Sequence, residues 1–323
     1  MAEEESSSMV NQVMDQLRGF MQARAIITAS ELDLFTKIEE KPATAFAIAN
    51  ANTFNLKGLI RLLDYLIVID LLRKENSCYF ITEKGSYFSS NHKESILPVV
   101  LMFNSLCNSW SLLTKSISKK PIVKNNVIIN TEAMHTIGRK LSKDVADYFD
   151  ASNFSRLLDI GGASGTYTIA FLNKNPNMKA IIYDLKEVIP MAKKRIKSER
   201  LLNRVTFVEG DFYNEELPKG CDLVLLSAII HQNSPEENTI LYRKIANILQ
   251  PGGTLLIRDH IMNDSRTAPT SGVLFALNMF VHKPGGDTYT FTDVKNSLKD
   301  SGFGIVKLIK VGNNMDCLVE AKL

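Results

Sequence analysis

The sequence predicts an α/β fold in which a parallel sheet follows a mainly helical region. Two patterns favour it: apolar residues recur at helical spacing up to about residue 150, and short apolar runs then alternate with helical segments. A glycine-rich turn at 161–165 also joins the first such run to a helix. We therefore expect domains at 8–100 and 151–323, joined by a helical connection at 101–150.

The composition bounds the class of protein. Hydrophobic residues at 45% and charged residues at 23% are ordinary for a globular chain, and 323 residues suffice for two domains. A net charge of +3 is too small to indicate a nucleic-acid or membrane partner, and no apolar run approaches the ~20 residues that span a bilayer. The N-terminal MAEEESSS is unlike a signal peptide, and the four cysteines form no C-x-x-C pair. These features predict a cytoplasmic protein with reduced thiols.

The first region is predicted to contain a long helix and a winged helix. Apolar residues between Val10 and Ala25 recur at spacings of three and four, which is typical of a helix with one buried stripe. A second helical stretch, 55–69, is apolar on several sides. Two short apolar strands then flank the turn-forming residues 74–77. Helix, turn, helix and hairpin in this order indicate a winged helix.

The winged helix is a poor candidate for DNA binding. Its second helix offers only Lys57 and Arg61, offset by Asp64. A helix that reads DNA needs several cations and amides that reach phosphates and base edges. We therefore favour packing between subunits, since the stripe from Val10 to Ala25 must be buried against something.

The second region predicts a parallel sheet. Helical sequence separates five candidate strands, which favours right-handed crossovers; they are Arg156–Ile160, Ala180–Asp184, Val205–Glu209, Asp222–Ala228 and Gly253–Asp259. The helix after the fourth strand begins with a capping box of Ser234 and Glu237. Two last strands, Ile305–Val311 and Cys317–Ala321, are expected to add an antiparallel hairpin.

The glycine-rich turn lies in the stretch LLDIGGASG. A dinucleotide fingerprint would need glycines where this chain has Ala163 and Thr166. The pattern is instead an acid, one residue, and then Gly161, Gly162 and Gly165. This pattern is similar to the S-adenosylmethionine (SAM) loop of class I methyltransferases.

Acids follow three successive strands, at the edge where ligands bind in an open α/β sheet. Asp184 comes about twenty residues after the turn, where a carboxylate accepts hydrogen bonds from ribose hydroxyls. Asp211 is placed for the adenine amino group with Phe212 over the ring, and Asp159 lies under the turn, where it orders the backbone amides. One such acid is often a helix cap, but three after a glycine turn predict a cofactor site. The expected set also includes Leu185, Gly210 and Ser227.

With these motifs placed, the chain resembles the small-molecule O-methyltransferases that carry an N-terminal dimerisation domain, such as the caffeate, hydroxyindole and polyketide enzymes. LLDIGGASG is similar to the family's L-x-D-x-G-G-G-x-G, and YDLKEVI to its D-L-P-x-V-I. VEGDFY, LQPGGTLLI and KPGGDTYT also match in order. The resemblance implies a Rossmann-like, seven-stranded class I fold, SAM as cofactor, no metal and a homodimer.

The resemblance also implies an acid–base pair. His231, in AIIHQNSPEE, matches the family's general base, and Asp259, in LLIRDH, matches the acid that orients it. Attack on the sulfonium methyl requires a phenolate, whereas a phenol with a pKa of ~10 is protonated at neutral pH. Imidazole titrates near neutrality, and a carboxylate fixes its tautomer. The expected function is methyl transfer to the hydroxyl of a small aromatic compound in secondary metabolism.

Five positions depart from the family pattern. Ala163 replaces the middle glycine of the turn, and Lys186 stands where proline is usual. Gln232 and Asn233 replace the aspartate and tryptophan that follow the base. Thr288 aligns with a second family glutamate, so only one of two carboxylates that would hold the base is present.

An acceptor pocket is expected from large side chains near the ligand end of the sheet, although aromatic and methionine residues more often belong to a core. The candidates are Phe103, Trp110, Met134, Phe275, Met279 and Phe280, together with Thr288. His135 either reaches the acceptor or is a hydrogen-bonded structural residue.

Two alternatives stay open. The altered H-Q-N sequence and Thr288 are compatible with other chemistry on bound SAM, namely C- or N-methylation, hydroxylation or decarboxylation. A winged-helix regulator that senses SAM is the other alternative, and it predicts salt-sensitive binding to duplex DNA.

Overall fold

A computed structural model of the chain describes residues 2–118, 126–283 and 285–323. The chain forms two compact units, Met1–Ile122 with Ser265–Val281 and Val123–Asp264 with His282–Leu323. The segment Ser265–Val281 thus groups with the first unit, although the predicted domain 151–323 contains it. Residues 119–125 of the predicted connection, and Pro284 of the KPGGDTYT motif, lie outside the described residues.

The helices and strands of the described residues have the following bounds. The helices are α1 (Ala2–Glu31), α2 (Leu34–Glu40), α3 (Ala45–Asn52), α4 (Leu56–Val68), α5 (Glu83–Ser86), α6 (Leu97–Trp110), α7 (Leu113–Ile117), α8 (Asn126–Tyr148), α9 (Thr166–Lys174), α10 (Ile189–Ser198), α11 (Pro235–Ile248), α12 (Thr270–His282) and α13 (Phe291–Lys299). The strands are β1 (Ala43–Thr44), β2 (Leu72–Glu75), β3 (Cys78–Ile81), β4 (Arg156–Ile160), β5 (Lys179–Asp184), β6 (Val205–Glu209), β7 (Cys221–Ser227), β8 (Leu249–Asp259), β9 (Ile261–Met262), β10 (Tyr289–Thr290), β11 (Ile305–Lys310) and β12 (Cys317–Lys322).

The first unit contains the helix–turn–helix and hairpin that the sequence predicts. The side chain of Asn55 caps α4 by accepting a hydrogen bond from the Gly58 amide at 2.9 Å. Strands β2 and β3 pair antiparallel across a turn in which Asn76 and Ser77 both have positive φ. Strand β1 adds to β3, which gives a three-stranded sheet in the order β1-β3-β2.

The charges of α4 are turned inward. Arg61 is only 9% exposed and Asp64 only 2%, and Arg61 Nη1 lies 3.4 Å from Asp64 Oδ2. Burial raises the pKa of Asp64, and Arg61 opposes that rise. Because Arg61 is paired inside the unit, the cation that sequence analysis considered for DNA contact is not presented at the surface.

The apolar stripe of α1 is exposed in the single chain. Val10, Val13, Leu17 and Phe20 are all more than half exposed, and the stripe becomes buried only near Ala25. Further apolar side chains are exposed along α6 and α7. None of the described helices is both long and apolar enough to cross a membrane.

The second unit is built on a seven-stranded sheet in the order β11-β12-β8-β7-β4-β5-β6. Strands β4 to β8 are mutually parallel, and β12 runs antiparallel to both of its neighbours. This confirms the predicted sheet and its terminal hairpin. The one notable difference is that β8 begins at Leu249 and not at the predicted Gly253, so Pro251 and Gly252 also belong to the strand.

The sheet topology places the candidate site. Strand β4 lies between β5 and β7, so the strand order reverses direction beside it. Crevices at such reversals, beyond the carboxyl ends of the strands, are where open α/β sheets bind ligands. The carboxyl ends of β4 to β8 carry most of the predicted site residues.

Candidate active site

The turn between β4 and α9 has a backbone that favours glycine. Gly161 and Gly165 have φ values of 65° and 77°, in the left-handed region. A side chain at Gly161 would also meet Ile229 Cδ1 at 2.5 Å. Ala163 shares the left-handed backbone, with a φ of 47°, so the departure from the family glycine falls at a strained position.

The turn is tied to the ends of two neighbouring strands. The Gly161 amide donates to the carbonyl of Tyr183 at 2.8 Å, and the Gly210 amide donates to the carbonyl of Asp184 at 3.0 Å. The Ala163 amide donates to Asp184 Oδ2 at 2.7 Å. Hydrogen bonds therefore join the ends of β4, β5 and β6.

Two backbone amides hold the carboxylate of Asp184 at the end of β5. Burial raises its pKa, and the amides of Leu185 and Ala163, which donate to its two oxygens at 2.7 Å, oppose the rise. Leu185 beside it is 48% exposed, so an apolar surface adjoins the carboxylate.

The hydrogen-bond partners of Asp159 differ from the turn amides that the sequence predicts. The hydroxyl of Thr168 in α9 donates to Asp159 Oδ2 at 2.7 Å, and the Thr168 amide is its other donor. Its partners are therefore in the helix and not among the turn amides. Burial raises the pKa of Asp159 to about 7, and Asp184 adds to the rise. A side chain at Gly162 would meet this carboxyl at 3.0 Å, so Asp159 also explains that glycine.

Asp211 and Phe212 follow β6. Asp211 Oδ1 accepts from the Tyr213 amide at 2.9 Å, and Oδ2 accepts from the Asn214 side chain at 2.8 Å, so this acid also caps its own turn. Phe212 is partly buried against the core, and its ring centroid lies 4.4 Å from that of Tyr213. An added Cβ at Gly161 would lie 3.8 Å from the Phe212 ring, which places the ring beside the glycine turn.

His231 and Asp259 meet at the ends of adjacent strands. His231 lies in a single turn of 3₁₀ helix, Ile230–Gln232, shortly after β7, and Asp259 ends β8. His231 Nδ1 is 2.9 Å from Oδ1 and 3.0 Å from Oδ2 of Asp259, and both residues are less than 10% exposed. Burial alone would raise the pKa of Asp259, but His231 and the nearby Arg258 lower it below its usual value. Since an ionised carboxylate only accepts, the proton of neutral His231 is on Nδ1 and the lone pair on Nε2.

Thr288 belongs to a segment that contacts the histidine turn. The amide of Asp287 donates to the carbonyl of His231 at 2.9 Å. Thr288 follows it at only 2% exposure, and its own amide donates to Asp287 Oδ1 at 2.9 Å. The position that the resemblance gives to a second acid is thus a buried threonine, one residue after the amide that bonds the His231 carbonyl.

Sequence analysis missed Arg258. Its Nε donates to the predicted cofactor residue Ser227 at 2.9 Å, and its guanidinium carbon lies 5.0 Å from the centroid of the Tyr167 ring. It is only 6% exposed. The arginine in LLIRDH, an unusual cation in an apolar strand, was the signal that could have revealed it.

The predicted pocket residues are divided between the two units. Met134 in α8 is 53% exposed, and His135 Nδ1 lies 2.8 Å from the Thr166 hydroxyl, which favours the structural reading of His135. Thr288 also belongs to the second unit, and the other side chains belong to the first: Phe103 and Trp110 in α6 are 51% and 70% exposed, whereas Phe275, Met279 and Phe280 in α12 are buried or partly buried. An added Cβ at Gly58 would touch the Phe280 ring, so that ring packs on α4. That these residues line one acceptor pocket stays a prediction.

Comparisons with known proteins agree with the arrangement of these residues. The family model of the O-methyltransferase domain matches residues 123–304, which is more than half of the chain. The chain belongs to the SAM-dependent O-methyltransferase family. A second model, the O-methyltransferase dimerisation domain, matches residues 14–91. The predicted family, enzyme class and cofactor are thereby confirmed. The predicted domain boundaries at residues 100 and 150 stay predictions.

Several relatives of this O-methyltransferase resemble it along nearly its whole length. The tetracenomycin polyketide synthesis 8-O-methyl transferase TcmO of Streptomyces glaucescens is 26% identical, over 93% of each chain. Acetylserotonin O-methyltransferase of Gallus gallus is also 26% identical, over 94% of this chain and 95% of the other. An O-methyltransferase family 2 protein of Planctomyces limnophilus, solved in complex with apigenin, has the same fold, with a TM-score of 0.83, 20% identity and coverage of 97% and 96%.

Proposed function

We propose that this protein transfers the methyl group of SAM to the hydroxyl of a small aromatic acceptor, with His231 as the general base. The observation that carries the proposal is the buried His231–Asp259 pair at the carboxyl ends of β7 and β8. Asp259 holds the Nδ1 proton and stabilises the imidazolium, so Nε2 accepts the proton of an acceptor hydroxyl. The deprotonated oxygen is then the nucleophile.

The residues around the glycine turn fit the cofactor. A Cβ at Gly161 would meet Ile229 at 2.5 Å and one at Gly162 would meet the Asp159 carboxyl at 3.0 Å, so both positions favour glycine. Without side chains, the backbone of the turn can approach a ligand closely. Asp184 would hold the ribose hydroxyls, Asp211 the adenine amino group and Phe212 the face of the ring. When bound, SAM supplies an electrophilic methyl on a positively charged sulfur.

The acceptor class is supported by what the relatives act on. TcmO is an 8-O-methyl transferase of polyketide synthesis, the Gallus gallus enzyme methylates an oxygen of acetylserotonin, and the Planctomyces limnophilus protein binds apigenin. These are flat aromatic molecules with ring hydroxyls. A phenol also suits a histidine base, because its pKa of ~10 is within reach of imidazole in a buried site.

Methylation of a ring carbon is a second candidate. L-tyrosine C(3)-methyltransferase of Streptomyces lavendulae is 32% identical, over 50% of this chain and 44% of its own. Removing a proton from a phenol makes the neighbouring ring carbon nucleophilic as well, so the same base serves both reactions. The product distinguishes them, because an O-methyl and a C-methyl group have different ¹H and ¹³C chemical shifts.

We also propose a homodimer formed through the first unit. The exposed stripe Val10, Val13, Leu17 and Phe20 gives α1 an apolar face, and the dimerisation-domain match includes Leu17 and Phe20. A second copy of the chain is the partner that such a domain implies.

The test of the proposed base is His231→Ala, assayed with SAM and a panel of phenols that includes apigenin and N-acetylserotonin. Turnover is expected to fall by about 10²-fold or more, while calorimetry shows nearly unchanged binding of S-adenosylhomocysteine. His92→Ala, a histidine of the first unit, is the matched control and should keep full turnover. Full turnover by His231→Ala would refute the base, and no methylation of any phenol by the wild type would refute the acceptor class.

A further inference from the structure

The residue that replaces the family tryptophan, Asn233, is the centre of a buried polar network. Asn233 is 0% exposed, and each of its four polar groups has a partner. Its Oδ1 accepts from the Tyr213 hydroxyl at 2.5 Å, and its Nδ2 donates to Asn238 Oδ1 at 3.0 Å. Its carbonyl accepts from the Tyr289 hydroxyl at 2.5 Å, and its amide donates to the carbonyl of Ile230 at 3.4 Å.

One end of the network reaches the histidine turn. Asn238 Nδ2 donates to the carbonyl of Ile230, the residue before His231, at 2.9 Å. Asn238 is itself 3% exposed, so this bond is shielded from water and is stronger than its exposed equivalent. Asn233 orients Asn238 for that bond, because it occupies the Oδ1 and leaves the Nδ2 directed at Ile230.

The other end reaches the turn that follows β6. Tyr213 donates its hydroxyl to Asn233, and its amide donates to Asp211 Oδ1 at 2.9 Å. Its ring also contacts that of Phe212. Asp211 and Phe212 are the residues assigned to adenine, so the chain of bonds runs from the cofactor side to the base.

A tryptophan could not build this network, since indole has one donor and no acceptor. Asparagine provides both at one buried position, and a buried asparagine that lost a partner would carry a large desolvation cost. The network therefore depends on the asparagine that ends the H-Q-N sequence of this chain.

We propose that Asn233 is a positioning residue that couples occupancy of the cofactor site to the placement of His231. Binding at Asp211 and Phe212 fixes Tyr213, Tyr213 fixes the Asn233 side chain, and Asn233 fixes the turn Ile230–Gln232 through Asn238. This proposal rests on the proposed function only in taking His231 as the base and Asp211 and Phe212 as cofactor contacts.

The test uses S-adenosylhomocysteine as the probe and needs no acceptor. The chain has five histidines, so labelling their ring carbons with ¹³C gives a sparse NMR spectrum, in which His231→Gln identifies the His231 signal. Saturation with S-adenosylhomocysteine should shift that signal in the wild type. The shift should be at most half as large in Tyr213→Phe, which removes only one oxygen from a side chain that is 43% exposed, and should vanish in Asn233→Ala.

Calorimetry on the same variants provides the second measurement. In Tyr213→Phe the dissociation constant of S-adenosylhomocysteine should rise about 2- to 10-fold, the range given by one net hydrogen bond. Tyr148→Phe, which loses a hydroxyl bonded to the Ile309 carbonyl, is the matched control and should behave as the wild type.

Two results would overturn the coupling. One is a His231 signal in the wild type that does not respond to S-adenosylhomocysteine, and the other is a response of equal size in Tyr213→Phe. The comparison of the wild type with Tyr213→Phe does not require Asn233→Ala to fold. Either result leaves the base assignment intact, because that assignment depends on the turnover of His231→Ala.

Discussion

Replacing Asp159 by asparagine should change how the stability of the protein depends on pH. Asp159 is 2% exposed, and burial raises its pKa from 3.8 to about 7. Asparagine has the same shape, keeps an oxygen that accepts from the Thr168 hydroxyl, and has no charge to bury. Comparing the variant with the wild type therefore measures how ionisation of this buried carboxyl changes the free energy of unfolding.

The direction follows from proton linkage. A carboxyl whose pKa is higher in the folded than in the unfolded chain stabilises the fold fully below pH 3.8, and this contribution is lost as the pH rises toward about 7. One pKa unit corresponds to 1.36 kcal/mol, so the stabilisation lost is under about 2 kcal/mol at pH 5 and about 4 kcal/mol at pH 8. Relative to the wild type, Asp159→Asn should thus gain about 2 to 3 kcal/mol between these pH values.

The assay is urea unfolding followed by circular dichroism at pH 5 and pH 8. Asp150→Asn is the control, since the Ser152 amide lowers the pKa of that exposed carboxyl and its contribution is constant above pH 5. A stability difference between Asp159→Asn and the wild type that is equal at both pH values would refute the burial argument.

Two further predictions concern the turn and the subunit contact. Ala163→Gly should raise the thermal stability by up to about 1 kcal/mol, since the left-handed backbone costs alanine about 1–2 kcal/mol and glycine recovers part of it; a lower melting temperature would contradict the strain. Phe20→Glu should weaken self-association roughly 10- to 100-fold in sedimentation experiments, because burying a phenyl group contributes about 1.5–3 kcal/mol. Gln22→Glu, on the opposite side of α1, should leave association unchanged, and an unaffected Phe20→Glu dimer would exclude this face.

Much of the second unit follows from the local sequence. The five parallel strands were visible as apolar runs, and the capping box of Ser234 and Glu237 begins α11 as predicted. The contact between His231 and Asp259 also follows, since both come at or just after the carboxyl ends of strands that pair in parallel.

The remaining features depend on tertiary packing. The pair Arg61 and Asp64 has the spacing of an exposed surface pair, and only the packing of α4 shows that both are buried. The bonds of Asn233 join three segments distant in the sequence, so no local pattern could indicate them. The segment Pro251-Gly252-Gly253 predicts a turn on propensity, but sheet pairing extends the strand through it.

The assignment of Ser265–Val281 to the first unit has a consequence for protein engineering. The chain passes between the units three times, at 122–123, 264–265 and 281–282. A fragment that starts at 123 would retain α12 without the Gly58 surface on which Phe280 packs. Exchanging the first unit between relatives therefore requires all three junctions, so that Ser265–Val281 moves together with the N-terminal region, and single-junction chimeras should yield insoluble protein.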